Sequence, residues 1–419
     1  MKLRNCTLYC IFVRNHGGSF RAVAEDIPRI RELGADAVWL LPIYPIGKEK
    51  RKGTLGSPYA ISDYRAVNPE YGTMEDFRYL ADVVHQNGMK LLIDIVYNHT
   101  SPDSVLAKTH PEWFYHKPDG SFGNRIGDWT DIIDLDYSQK GLWEYQIETL
   151  KQWASIVDGF RCDVAPLVPL EFWLKAREEV AKVRPDCIWL AESVEFGFIR
   201  YNRSRGMTAL SDSELYQAFD ICYDYDIYED FVAYVQGRSP LSSYVDALLR
   251  QEAIYPVDYV KLRFLENHDR PRAASLFPNA KIRRNWIAWY FFQKGITLLY
   301  SGQEWAPSHL PTLFDSDPID FSGIPEHGDL IKTLAHMKKN PLFADGIYTV
   351  EPRPDDILVA SWQLNDRIVL GIFSLKGNAS AVAVPLEDGI YPELISGSKV
   401  PVASSIVQST GEPLILIKQ

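Results

Sequence analysis

The stretch GFRCDVAP, Gly159 to Pro166, reads as a short buried strand that carries two charges. In a strand, residues i and i+2 face the same side, so Arg161 and Asp163 point together while Phe160 and Cys162 point away. Burying a charge is costly unless it is paired. Two readings follow: a structural ion pair inside a fold, or a catalytic carboxylate held ionised by an arginine. The rest of the chain decides between them.

Seven further runs of this kind flank it: LYCIFV (Leu8–Val13), AVWLL (Ala37–Leu41), LLIDIV (Leu91–Val96), IWLAE (Ile188–Glu192), AFDIC (Ala218–Cys222), VKLRFLEN (Val260–Asn267) and TLLY (Thr297–Tyr300). Amphipathic segments lie between them. One opens at Thr73 with a capping box closed by Asp76, places Phe77, Leu80, Ala81 and Val84 on one face, and ends at Gly88. Another repeats Leu150, Trp153, Ala154 and Val157 at helical spacing. Strand-like runs alternating with helices predict a parallel sheet, and eight of them predict a closed (β/α)8 TIM barrel.

Two intervals are long. The polar loop GKEKRKGTLGSP (Gly47–Pro58) precedes the capped helix, and its basic run Lys48–Lys52 reads as a solvated surface. From about residue 100 to 137 the chain makes an aromatic-rich excursion after the third strand, placing an insertion on the face where barrel active sites lie. After about Asn340 the texture becomes alternating, with turn signals and no helical period. The expected organisation is a catalytic barrel over 1–340, including the short insertion, and a C-terminal antiparallel β-sandwich over 341–419.

A chain of 419 residues can bury one large core and a smaller one. Its net charge of −11 argues against nucleic acid or an anionic membrane surface as partner. No apolar run is long enough to span a bilayer. The N-terminal apolar run ends in Arg14-Asn15-His16 without a small-residue cleavage site, so it reads as a first strand and the protein as cytoplasmic. Five cysteines, an odd count without C-x-x-C spacing, read as buried thiols.

Carboxylates gather at the strand ends. Asp94 lies near the end of the third strand, Asp163 ends the fourth, Glu192 ends the fifth and Asp269 follows the seventh. In a barrel all four meet at one mouth. Crowded acids resist joint ionisation, and an arrangement that keeps one protonated and another charged is what glycosidic bond cleavage uses. Asp94 reads as a structural partner of Arg161. His99 and His268 sit beside the strand-end acids.

These motifs resemble glycoside hydrolase family 13, the α-amylase family. DIVYNH (Asp94–His99), GFRCD (Gly159–Asp163), the glutamate of WLAES (Glu192) and NHD (Asn267–Asp269) resemble its four signatures in order. GSPYAISDYRAVNPEYGT (Gly56–Thr73) and LLYSGQE (Leu298–Glu304) resemble two further segments of the family. The resemblance implies a retaining α-glycoside hydrolase acting on α-glucans or maltooligosaccharides. Asp163 would be the nucleophile, Glu192 the acid/base and Asp269 the transition-state stabiliser. Tyr59 would stack under the sugar, and His99, Arg161, His268 and Arg272 would bind substrate. Trp113, Phe114, Tyr115 and Trp129 either stack on further sugars or form the insertion's own core. No cofactor is implied for the chemistry. A structural calcium is implied at Asn98, completed by Asp128, Asp131 or Asp134.

Departures bear on specificity. The Lys-His pair that follows the nucleophile in many members is replaced by Pro166 and Leu167. Val164 and NHDRPR (Asn267–Arg272) resemble members that cut α-1,6 links from chain ends. Alternatives are therefore a transglycosylase or an exo-acting α-1,6-glucosidase on the same scaffold, and a non-catalytic sugar-binding member.

Overall fold

The computed structural model describes residues 2–418. Eight parallel strands close into the predicted barrel: β1 (Thr7–Ile11), β2 (Ala37–Leu40), β3 (Lys90–Ile95), β4 (Gly159–Cys162), β5 (Ile188–Ala191), β6 (Ile221–Tyr223), β7 (Lys261–Phe264) and β8 (Ile296–Tyr300). Each strand pairs with its sequence neighbour, and β8 closes on β1. Gly159 opens β4 because β5 passes too near for a side chain. A Cβ there would lie 2.5 Å from the Ile188 carbonyl oxygen.

The helix Met74–Gln86 follows its sequence signals. Thr73 Oγ1 accepts from the Asp76 amide at 3.2 Å, and Asp76 Oδ2 accepts from the Thr73 amide at 2.9 Å. Phe77, Leu80, Ala81 and Val84 are the buried face. The sixth strand begins later than its apolar run suggests. Ala218 and Phe219 finish the preceding turn, where Phe219 packs against Trp173 and Trp189.

Beyond the barrel come β9 (Ile347–Arg353), β10 (Ile357–Leu364), β11 (Arg367–Ser374), β12 (Ser380–Ala383), β13 (Gly389–Pro392), β14 (Lys399–Val402), β15 (Ile406–Ser409) and β16 (Leu414–Lys418). Strands β9, β10, β11 and β16 form an antiparallel sheet, and β12–β15 and β13–β14 form two ribbons. Period-two alternation gives the sheet two apolar faces. Leu358, Ala360, Trp362, Val369 and Phe373 join the barrel core, where the helix Ala280–Phe292 presents Trp289 and Phe292. Ile357, Val359, Leu370 and Ile372 face the ribbons instead. The last seven residues of that helix, Trp286–Phe292, are apolar and buried all round, as a segment covered on both sides must be.

The insertion departs after β3, forms a two-residue ribbon between His99–Thr100 and Ile133–Asp134, and returns to the helix Lys140–Ala154. All five cysteines are buried and unpaired. Among the described residues no helix is long and apolar enough to cross a membrane.

Candidate active site

Backbone pairing carries the catalytic carboxyls just past the strand ends. The Asp163 amide donates to the Ile95 carbonyl at 2.8 Å and the Glu192 amide to that of Cys162 at 3.0 Å. Below them Arg161, fully buried, lies in register with Asp94 of β3. Its Nη1 donates to Asp94 Oδ1 and Oδ2 at 2.8 and 3.0 Å and to Asp163 Oδ1 at 2.7 Å. Nη2 approaches Glu192 Oε1 to 2.7 Å, but off the hydrogen-bond direction, so that no hydrogen bond forms. Glu192 Oε2 instead accepts the Val164 amide at 2.7 Å.

One guanidinium thus faces three buried carboxyls, and they resist ionising together. Burial pushes Asp94 and Asp163 up to about 7 against the attraction of Arg161. Glu192 rises furthest, to about 8, through burial first, with Asp163 and Asp269 adding to it against Arg161. The group shares its protons. Geometry says where one stays: Glu192 alone of the three lacks a hydrogen bond from Arg161.

Val164 holds φ 40° and ψ 43°, the left-handed region that a β-branched residue avoids. Such strain costs about 1–3 kcal/mol and collects at functional sites. Here it aims the Val164 amide at Glu192 and sets the side chain in an apolar cluster with Val194, against which Trp129 and Phe198 pack.

Asp163, Glu192 and Asp269 line a cleft of about 450 Å³ together with Tyr59, His99 and Trp129. The Asp269 side chain is 45% exposed. His268 lies beneath Tyr59, with its rings stacked at 5.7 Å and 14°. Its Nε2 meets Tyr59 Oη at 2.7 Å and Asp269 Oδ2 at 3.1 Å. His99 Nδ1 takes the Asn98 amide at 3.2 Å, which leaves Nε2–H as its donor. Burial pulls both histidines down to about 4, so at neutral pH each is an uncharged ring.

Three residues assigned to substrate binding from the sequence do not line the cleft, and His268, its side chain 1% exposed beneath Tyr59, is one of them. Arg161 is spent on the acids under it. Arg272 is fully buried, pairs with Glu266 at 2.6 Å and lies 4.3 Å from the Tyr300 ring centroid. The cleft-lining guanidinium is Arg270, which pairs with Glu195 and lies over Tyr225 and Tyr228. Of Trp113, Phe114, Tyr115 and Trp129, only Trp129 lines the cleft. Trp113 stacks on His110 at 3.8 Å, Phe114 packs on Phe122, and Tyr115 lies under Arg125, so these three serve the insertion itself.

The calcium assignment at Asn98 and Asp128 does not fit. Calcium takes about 6–8 oxygen ligands. Asn98 spends its side-chain Nδ2–H on His99, and its backbone carbonyl accepts the Leu135 amide at 3.0 Å. Asp128 is exposed, and Asp131 pairs with Lys52 at 2.9 Å. The acids that share a pocket with Asn98 are Asp134 and Asp136, and Arg125 stands there too. The Arg125 amide donates to Asp134 Oδ2 at 2.7 Å, and its guanidinium lies 3.7 Å from the same oxygen. Burial still pushes Asp134 up to about 6. Among the described residues no cluster of three or more His, Cys, Asp or Glu is placed to hold a metal ion.

Sequence reasoning missed Lys52, Glu195, Phe198, Arg270, Leu313 and Phe314, all of which line the cleft. They come from different loops and, for Glu195 and Phe198, from the start of the helix Phe196–Ser204, and a sequence carries no signal for pairing between such segments.

A sequence profile described as the alpha amylase catalytic domain matches residues 13–121, and one described as the bacterial alpha amylase C-terminal domain matches residues 344–416. The solved alpha-amylase from Lactobacillus plantarum is 49% identical over the whole of both chains, with a TM-score of 0.98. A maltogenic alpha-amylase from Thermotoga neapolitana is 34% identical over 100% of this chain and 99% of its own, with a TM-score of 0.89. Among curated proteins, the alpha-1,4-glucan:maltose-1-phosphate maltosyltransferase of Myxococcus xanthus is 31% identical over 48% of this chain. The match spans 32% of that relative's length.

Proposed function

Because the chain belongs to the α-amylase family, glycoside hydrolase family 13, we propose that it hydrolyses α-glucosidic bonds of α-glucans and maltooligosaccharides, α-1,4 links foremost, with retention of configuration. The observation that carries this reading is the unequal grip of Arg161. It hydrogen-bonds Asp163 but only approaches Glu192. Asp163 is thereby favoured as the charged partner and Glu192 as the protonated one.

Asp163 Oδ1 is held by Arg161, which leaves Oδ2 to attack the anomeric carbon. As that bond forms, the glycosidic C–O bond breaks and Glu192 passes its proton to the leaving oxygen. Water then attacks the glycosyl ester and gives its proton to Glu192. The sugar is released and Asp163 returns as carboxylate. Both acids touch one guanidinium, which supports the short separation of about 5–5.5 Å that retaining enzymes use. Asp269 and the neutral ring of His99 supply hydrogen bonds where the sugar ring distorts, and His268 holds Tyr59 from beneath.

A second reading, transfer to a sugar in place of water, is favoured by the apolar acceptor wall of Val164, Val194 and Phe198. It also agrees with the transferase names of the curated relatives.

Chromatography of reactions with maltoheptaose, isomaltotriose and soluble starch tests the proposal, with Asp163→Asn as control. Shorter glucans from maltoheptaose with the parent protein alone support hydrolysis. Products longer than the substrate support transfer. No change in any substrate refutes both.

A further inference from the structure

We infer that the donor end of the cleft is closed by a strap, so that the enzyme attacks α-glucans from their non-reducing ends, and that the Lys52–Asp131 ion pair is the latch of that strap. The inference rests on the proposed α-glucan cleavage.

Barrel topology says which end is which. The leaving group departs over Glu192, whose loop follows β5, beside the Val164 loop that follows β4. The loop after β8 rises from the side of the eight-strand ring opposite β4, and β2 stands two strands from β8. That side lies beyond the donor sugar, and there the loop after β2, Gly47–Pro58, forms the strap and is fastened to the loop after β8. The Leu55 and Gly56 amides donate to the Phe314 carbonyl at 3.0 and 3.2 Å. The amide and Oγ1 of Thr54 donate to Asp315 Oδ1 at 2.7 and 2.6 Å. Arg14 Nη1 ties both loops, donating to the Gly56 and Leu313 carbonyls at 3.2 and 3.0 Å. Gly53, at φ +64°, sits so near that a Cβ would lie 2.6 Å from Phe314 Cβ.

The strap's other flank is fastened to the insertion. The Lys48 amide donates to Asp103 Oδ2 at 2.9 Å, and Lys52 Nζ meets Asp131 Oδ1 at 2.9 Å. Lys52, Asp131 and Phe314 all line the cleft. The insertion, the strap and the last-strand loop therefore make one continuous wall. A cleft of about 450 Å³ behind such a wall falls in the range of small-molecule sites, roughly 300–1,000 Å³. The backbone contacts form the permanent part of the wall. The lysine–aspartate pair is the part that a side-chain change can open.

The test compares maltoheptaose with maltoheptaose whose non-reducing end carries a 4,6-O-ethylidene block, with products read by mass spectrometry. The parent protein is expected to cleave the free substrate at least a hundredfold faster than the blocked one. Lys52→Ala and Asp131→Asn are each expected to raise the blocked-to-free ratio at least tenfold. Equal cleavage of both substrates by the parent protein overturns the closed end while leaving α-glucan cleavage intact. An unchanged ratio in folded variants overturns the latch. Failure to cleave even the free substrate overturns the reading on which both rest. Should a variant fail to fold, the parent protein's ratio still decides whether the end is closed.

Discussion

Replacing Arg161 with methionine keeps most of the side chain's bulk and removes the charge that three buried carboxyls share. Breaking a buried pair by deleting one partner costs about 3–5 kcal/mol. Unfolding entropy of about 2.1 cal/mol/K per residue, over 419 residues, makes about 0.9 kcal/mol/K. The penalty is then a fall in Tm of about 3–6 °C, and its pH dependence is the sharper test. In the parent protein Asp94, Asp163 and Glu192 are already raised to about 7, 7 and 8. Unfolded, they titrate near 4. Between those limits the folded state binds more protons than the unfolded state, so stability falls as pH rises. Without the guanidinium the folded values rise further, and the fall continues to higher pH. Arg161→Met is therefore expected to lose little at pH 5, where the acids are largely protonated anyway, and most at pH 8. Thermal unfolding of both proteins from pH 5 to 8 measures this. A penalty that is constant with pH, or larger at pH 5, would refute the claim that Arg161 works by neutralising ionised carboxyls.

Other expectations follow from the same geometry. Activity needs Asp163 charged and Glu192 protonated, so kcat/KM should trace a narrow bell. Its acid limb reports protonation of Asp163, and its alkaline limb reports loss of the Glu192 proton. Glu192→Gln, assayed on a substrate with a good leaving group, should remove the alkaline limb, and an unchanged bell would contradict the assignment. Because Arg125 stands beside Asp134 where a calcium was expected, EDTA should leave Tm and activity within error. Arg125→Ala should lower Tm by a degree or more, and a chelator-sensitive parent protein would show that the arginine does not serve in place of a cation.

Strand-level facts were the most legible in the sequence. Period-two spacing puts Arg161 and Asp163 on one face, and the runs around Ile93, Leu190 and Leu298 announce strands β3, β5 and β8. Their strand-end acids converge because a parallel barrel sends every C-terminal end to one rim. What crosses between elements was not legible. The approach of Arg161 to Glu192 depends on the stagger of β4 against β5. The left-handed turn at Val164 contradicts the residue's own preference, so only the surrounding structure imposes it. Arg272 and Arg270 stand two apart near the seventh strand, and local spacing does not say which one turns inward to Glu266. The run Lys48–Lys52 reads as solvated charge, yet Lys52 reaches Asp131, 79 positions away, through loop contacts that no local pattern encodes.

The central claim is that Asp163 becomes covalently glycosylated, and trapping that ester tests it most directly. The protein is treated with a 5-fluoro-α-glucosyl fluoride, whose ring fluorine slows the second step more than the first, and the intact mass is recorded. The account predicts a mass increase of one fluoroglucosyl group, mapped by peptide sequencing to Asp163 and absent from Asp163→Asn. An adduct on Glu192 or Asp269, or turnover of maltooligosaccharides with inverted anomeric configuration and no adduct, would contradict it.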